Sequence, residues 1–215
     1  MDLPIPSPYE WSSPVSQLSS PVEFWFDPIC PFTWITSRWV NDVAEARGYD
    51  VTWNPFSLKI LNEGLDEDPD AEENAQGHRM GRVVETVRTA SGQQQLASLY
   101  TAIGERLHLH GRTDIDAVLA DALAEVGLPG DIISAADRTD ADAGLRASTD
   151  RVLEMVGRGV GIPIIAVDGI AFFGPVFTSR PHGEQALDLW DAYVTLTRFP
   201  RFFELKREIT GEIAF

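Results

Sequence analysis

The sequence predicts an α/β protein in which a block of helices interrupts a mixed β-sheet. Three observations lead there. A strand–helix–strand unit occupies residues 21–58, no strand pattern occurs over 65–156, and two apolar runs joined by Asp168-Gly169 precede a final helix. Strand–helix–strand in this space implies a parallel pair with a right-handed crossover. Asp-Gly between two apolar runs implies an antiparallel hairpin.

Pro21 to Phe26 is apolar enough for a buried strand. Trp34 to Ala46 reads as a helix, because Trp34, Ile35, Trp39, Val40 and Val43 recur at helical spacing and Gly48 can stop it. Val51 to Leu58 reads as the second strand, with Pro55 confined toward its end. Leu65 to Ala75 is acidic and linker-like, and Asn74 to Val126 carries successive helical faces. A short helix over Asp131–Ala136 and a longer one over Asp140–Val156 follow, the latter ending at Gly157 or Gly159. Ile162–Val167 and Ile170–Gly174 make the hairpin, and helices over Gly183–Leu196 and Phe202–Arg207 close the chain. Residues 1–20, rich in Pro and Ser, read as a flexible tail with Tyr9 or Trp11 available for docking. The expected organisation is a tail at 1–20, a sheet domain from 21–64 plus 157–215, and a helical insertion at 65–156.

The chain has 215 residues, a formal net charge of −16 and one cysteine. That acidity argues against nucleic acid and anionic membrane, which both need clustered Lys and Arg. No apolar run approaches the roughly 20 residues that span a bilayer. The first residues lack the basic start and apolar core of a secretory signal, and one cysteine forms no internal disulfide. A cytoplasmic location is expected. His108-Leu109-His110 points two rings in divergent directions with no further ligand cluster, so a solvated helix end is expected and no metal site. Trp25, Trp34, Trp39 and Trp53 are expected in the core.

The chemistry concentrates at Cys30, in Asp27-Pro28-Ile29-Cys30-Pro31-Phe32-Thr33-Trp34. A thiol where a strand runs into a helix lies near the unpaired N–H groups of the first turn, which together with the helix dipole favour the thiolate. A dithiol site would carry its second cysteine at Thr33, so disulfide chemistry here takes its second thiol from another molecule. The Thr33 hydroxyl, one turn from Cys30, is placed to donate to the thiolate. Pro31 opens the helix, and Phe32 follows as an apolar wall for substrate. Across the fold, Pro163 opens a strand without sacrificing a ladder donor. A cis Ile162–Pro163 bond would turn the Ile162 backbone toward Cys30 and present a strand-like edge to an extended thiol compound.

The order βαβ, helices, ββα is the thioredoxin topology with a helical domain between its halves. The segments Phe24-Trp25-Phe26-Asp27-Pro28-Ile29-Cys30-Pro31, Thr36-Ser37-Arg38-Trp39, Ser57 to Glu63, Gly161 to Pro175 and Phe202 to Arg207 resemble the DsbA-like branch of the thioredoxin superfamily. Within it they are similar to actinobacterial mycothiol-dependent oxidoreductases, the group that includes a mycothiol-dependent nitroreductase. The resemblance implies Cys30 as nucleophile, Pro163 as the cis proline and Asn62 as a polar group near the site. It also implies mycothiol as the low-molecular-weight thiol partner, with no tightly bound cofactor. The chain departs from dithiol members at Thr33, where they carry cysteine, and at Phe32, where tryptophan is frequent. The loss of the resolving thiol removes the internal route for releasing a mixed disulfide. A monothiol cycle remains, acting on mixed disulfides or small electrophiles.

Two other readings stay open. In kappa-class glutathione transferases and chromene-carboxylate isomerases, which share this architecture, the bound thiol is the nucleophile and Cys30 would be dispensable. A thioredoxin-like domain kept only for binding would carry an unreactive Cys30. The chain is expected as a monomer or a homodimer, with Phe199, Phe202 and Phe203 as candidate dimer contacts.

Overall fold

The structure, a computed structural model, describes Leu18 and residues 21–215. The expected tail, including any docking of Tyr9 or Trp11, lies outside the described residues. In chain order the elements are β1 (Val22–Phe26), α1 (Pro31–Arg47), β2 (Val51–Pro55), α2 (Leu58–Leu61) and α3 (Ala71–Gly104), then α4 (Ile115–Glu125), α5 (Asp142–Val156), β3 (Ile164–Val167), β4 (Ile170–Phe173) and α6 (Gly183–Thr197). A π-helical turn over Glu105–Leu109 continues α3, and a 3-10 turn over Gly130–Asp137 separates α4 from α5.

The sheet runs β2-β1-β3-β4. β1 and β2 are parallel with Val22 opposite Val51, and β3 is antiparallel to β1 and to β4. The hairpin turns through Asp168 and Gly169, both at positive φ, as the right-handed twist of the flanking strands requires. This is the thioredoxin arrangement.

Side chains alternate across the sheet and both faces are covered. Phe24, Phe26, Ile165 and Val167 join one core with α1, α6 and the inserted helices. Trp25, Ile164 and Ala166 join the other, with Phe56 and with Val152 and Leu153 of α5. Helix α5 falls within the span expected as insertion, yet it forms the layer over this second face. The four core tryptophans are buried as expected. Trp39 donates from its indole nitrogen to the Ala186 carbonyl at 2.9 Å, which ties α1 to α6. Fully burying such a side chain contributes about 1.5–3 kcal/mol before packing losses are counted.

Helix α3 is interrupted at Gly92, whose φ of 81° and ψ of −176° leave the helical region. The next side chain uses the break. The Gln93 amide accepts the Trp53 N–H at 2.7 Å and donates to the Trp53 carbonyl at 3.1 Å. It thus stands in for a neighbouring strand along the outer edge of β2 and satisfies groups an edge leaves open.

The chain after α6 departs from expectation. Phe202–Arg207 forms neither helix nor strand. Phe203 and Leu205 stand 80% and 83% exposed, so a helix here would have no packed face to hold it. Phe202 packs on Phe172 of β4, so it is held within the chain. Farther on, the Ala214 N–H donates to the Thr178 carbonyl at 2.7 Å.

Candidate active site

Four residues, Asp27 to Cys30, carry the chain from β1 into α1. The Cys30 N–H donates to the Asp27 carbonyl at 3.1 Å, and the Cys30 carbonyl accepts the Trp34 N–H at 3.1 Å. Cys30 is therefore the N-cap of α1, in extended conformation. Pro31 takes the first helical position, where its missing N–H costs nothing.

The sulfur does not sit in the environment the sequence suggested. Cys30 is 8% exposed and shares the second core with Trp25, Phe56, Ile162 and Ile164. Burial pushes its pKa up, and the charge of Asp27 adds to that. The Thr33 hydroxyl and the N–H groups of Thr33 and Phe32 oppose the rise without overcoming it. The expectation that the helix start alone favours the thiolate is thus corrected: desolvation in hydrocarbon outweighs the first-turn donors. At rest Cys30 is a thiol.

The other predicted residues divide. Ile162 is in the Cys30 cluster and Phe32 packs against it. The Ile162–Pro163 bond is cis, and the buried Pro163 accepts the Gly174 N–H at 2.8 Å. Thr33 is fully buried, and its hydroxyl makes no well-formed hydrogen bond, although it approaches the Cys30 sulfur closely enough to favour the thiolate. Asn62 follows Leu61, which packs against the Cys30 cluster. It caps α2, accepts the Leu65 N–H at 3.1 Å and helps Asn74 hold the Asp68 carboxyl low.

Sequence reasoning passed over Asp27. Its side chain has no exposed surface. One carboxyl oxygen accepts the Leu58 N–H at 2.9 Å, at the start of α2, and the other accepts the Ile29 N–H at 3.2 Å. Burial pushes its pKa up to about 7 against the pull of those donors, and Glu73 adds to the rise. Helix α3 seals the pocket at Gly77, where an added Cβ would lie 2.7 Å from Asp27 Oδ1. An acidic residue ending a buried apolar run, with glycine in a later helix, is the signal that was available.

His108 also differs from expectation. It is not a solvated helix end: the π turn carries its ring in between Trp34 and Phe215, and Nε2–H donates to the Pro28 carbonyl at 3.1 Å. Burial lowers its pKa to about 4, so it is neutral, while His110 stays exposed. One peptide away from Asp27's donor lies a second buried polar group. Ser57 Oγ and His78 Nδ1 are 2.9 Å apart, and His78 Nε2 is 3.3 Å from Asp142 Oδ1. Ser57 Oγ also accepts the Ile60 N–H, and the Ser57 N–H donates to Thr149 Oγ1 at 3.1 Å. No group of three or more His, Cys, Asp or Glu is arranged to hold a metal among the described residues, and no helix there is long and apolar enough to cross a membrane.

Against known proteins, the family described as "Mycothiol-dependent nitroreductase Rv2466c" matches residues 29–207. The Mycobacterium tuberculosis protein Rv2286c, itself called uncharacterized, is 35% identical over 190 residues, 86% of this chain and 81% of its own. Among solved structures, a 2-hydroxychromene-2-carboxylate isomerase superposes with a TM-score of 0.56 at 15% identity, covering 71% of this chain and 88% of that one. The cytosolic disulfide reductase DsbM of Pseudomonas aeruginosa, solved with GSH, gives 0.54 at 20% identity, covering 80% and 96%. A probable DsbA oxidoreductase, SCO1869 of Streptomyces coelicolor, gives 0.54 at 16%, covering 87% and 93%. These structures carry the fold, and the family match, together with the mycobacterial relative, carries the identity: the chain belongs to the Rv2466c-like family.

Proposed function

We propose that the protein is a monothiol thiol–disulfide oxidoreductase that uses Cys30 with a low-molecular-weight thiol, mycothiol by family, to reduce mixed disulfides or small electrophiles in the cytoplasm. The observation that carries the reading is the placement of the only cysteine. Cys30 caps α1, shares a cluster with Ile162 beside the cis Pro163, and is approached by a buried hydroxyl with no better partner. That orphaned Thr33 hydroxyl fits a sulfur anion, whether of Cys30 or of a bound thiol. In the cycle, Cys30 attacks a mixed disulfide and retains one sulfur of it. A second small thiol then frees the enzyme. Pro31, Phe32 and the Ile162 backbone border the substrate, Asn62 lies at the margin, and the inserted helices exclude water over the sulfur.

Incubation with oxidised mycothiol, read by intact mass, is expected to add one mycothiol to the wild-type chain and none to Cys30→Ser. The same substitution abolishes turnover of a mycothiolated substrate. Unchanged turnover rejects the mechanism. The burial of Cys30 as a thiol favours one second reading, in which the bound small thiol is the nucleophile and Thr33 stabilises its anion. Retained activity in Cys30→Ala together with tight thiol binding selects that reading.

A further inference from the structure

The chain beyond α6 returns to the end of the sheet that carries Cys30, and residues 211–215 are pinned there. The loop after β4 gives them a fixed edge. The Gly174 N–H donates to the Pro163 carbonyl at 2.8 Å, and the Pro175 carbonyl accepts the Thr36 hydroxyl of α1 at 3.0 Å. Farther along this loop the Thr178 carbonyl accepts the Ala214 N–H at 2.7 Å, and Ser179 pairs with Ala214 in parallel. With Ala214 so held, the Phe215 ring stacks on His108, their centroids 5.6 Å apart and their planes at 30°. His108 stacks in turn on Trp34 at 5.9 Å and 30°. Trp34 is itself fixed: its ring lies on the Gly104 backbone, where no Cβ would fit, and its N–H donates to the Cys30 carbonyl. The middle ring, His108, donates from Nε2–H to the Pro28 carbonyl at 3.1 Å, two residues before Cys30. The bonds from the Cys30 N–H to the Asp27 carbonyl and from the Ile29 N–H to the Asp27 carboxyl are made within the turn. His108 thus holds the main chain of that turn from a distant element.

We infer that Phe215 is a positioning residue for Cys30: it closes the outer face of His108, and His108 holds the Pro28 carbonyl of the turn that delivers the nucleophile. This rests on the reading of Cys30 as nucleophile. Water competes for both the imidazole N–H and the carbonyl, so their bond is favoured while the ring stays dry and flat against Trp34. Phe215 supplies that cover, because offset aromatic rings gain attraction beyond the area they bury. At 53% exposed, it has one face on His108 and the rest toward solvent, as an outer wall must. Burial keeps His108 neutral, so its single ring hydrogen stays on the nitrogen that faces Pro28. The line from Phe215 through His108 and Pro28 to Cys30 moves no proton and touches no substrate. Its effect is on where the sulfur stands, and a reacting group displaced by even an ångström loses rate steeply.

The test is turnover of a mycothiolated substrate, beside nitrogen-15 NMR of the histidine rings, in wild type, Phe215→Ala, Phe215→Tyr, His108→Phe and the double variant of the first and third substitutions. In Phe215→Ala the His108 titration is expected to move up from about 4 toward its ordinary 6.5. In the same variant kcat/KM at pH 8 is expected to fall about three- to tenfold, the worth of one ordinary hydrogen bond. Phe215→Tyr keeps the stack, and both values are expected to return. His108→Phe keeps a ring in the stack and removes the N–H, so kcat/KM is expected to fall by the same factor or more. Adding Phe215→Ala to it is expected to cost nothing further, since a residue that acts through another has no effect once that one is gone. Losses that multiply overturn the inference. A His108 titration indifferent to Phe215→Ala overturns it too, because any fall in turnover then marks a merely structural role. Turnover that needs Cys30 but ignores both substitutions overturns this inference alone. Unchanged turnover in Cys30→Ser removes the nucleophile, and the proposed function falls with it. A measurement on the unmodified chain guards against misfolding of the variants. Nuclear Overhauser contacts must join the Phe215 and His108 rings, and their absence overturns the inference.

Discussion

Two buried polar groups meet at the start of α2 and differ in one respect. The Ser57–His78–Asp142 relay is complete: the Ile60 N–H reaches Ser57 Oγ, whose hydroxyl donates to His78 Nδ1, and His78 Nε2–H donates to Asp142, itself held by Arg82. The Asp27–Cys30 pocket is incomplete: a carboxyl held far above its usual pKa, a thiol raised above its own, and a Thr33 hydroxyl with no formed bond. Buried polar groups are normally satisfied, since an unmade bond costs about 1–3 kcal/mol. A fold that satisfies one cluster and leaves its neighbour short has spent stability where chemistry is carried out. The satisfied cluster joins the inserted helices to the sheet domain.

The comparison is broken most easily through stability. A carboxyl whose folded pKa is raised binds its proton more tightly folded than unfolded, so its contribution is complete below the unfolded value and is lost as pH rises through the folded one. For Asp27 the window runs from 3.8 to about 7. A shift of about three units corresponds to roughly 4 kcal/mol. Urea unfolding of the wild type is expected to weaken by that order between pH 4 and pH 8, and Asp27→Asn to remove most of the slope. Parallel slopes would mean that Asp27 is not the strained member of the pair.

The relay predicts the opposite sign. Burial first, then Arg82 and Lys59, lower the His78 pKa, with Asp142 pulling the other way. A depressed folded pKa gives a contribution present above the unfolded value of 6.5 and lost as pH falls below it. His78→Ala also strands the Ser57 hydroxyl, so it is expected to cost about 1–3 kcal/mol at pH 8. The cost shrinks toward pH 5, where the wild type has lost the same interaction. Melting temperatures at the two pH values decide it, and a cost that grows in acid rejects the assignment.

How much of this was legible in the sequence follows from range. The strands were visible because Phe24, Phe26, Ile165 and Val167 alternate with Trp25, Ile164 and Ala166, a pattern local to each run. Cys30 was visible because its position is set by the junction of one strand with one helix. The family likeness supplied the cis proline. What stayed hidden depends on residues far along the chain. Cys30 is buried in a cluster that includes Val152 and Leu153 of α5 and Ile162. The burial of Asp27 is decided by Gly77, and an Asp-Pro pair alone reads as an ordinary turn. The inward turn of His108 depends on a π-helical residue insertion that rotates the helix end, which periodicity assigns to solvent. The chain after α6 packs Phe202 on Phe172, a partner on another element.

The finest test lies at Thr33, where the two clusters should answer substitution differently. Removing a partner from the relay leaves a stranded donor. Removing the Thr33 hydroxyl strands nothing, because it has no formed bond in the resting state. Thr33→Val keeps the shape, so stability is expected to hold or to rise by a few tenths of a kcal/mol. The hydroxyl matters once the sulfur is charged, as the side-chain donor that holds the Cys30 pKa down. A hydrogen bond to a charged group is worth about 1.5 kcal/mol at the lower end, which is near tenfold in thiolate population. Alkylation of Cys30 at pH 8 is therefore expected to slow about three- to tenfold in Thr33→Val and to recover in Thr33→Ser. A variant that loses stability while its thiol reacts at the wild-type rate would assign Thr33 to the packing of α1, leaving the buried thiolate without its side-chain donor.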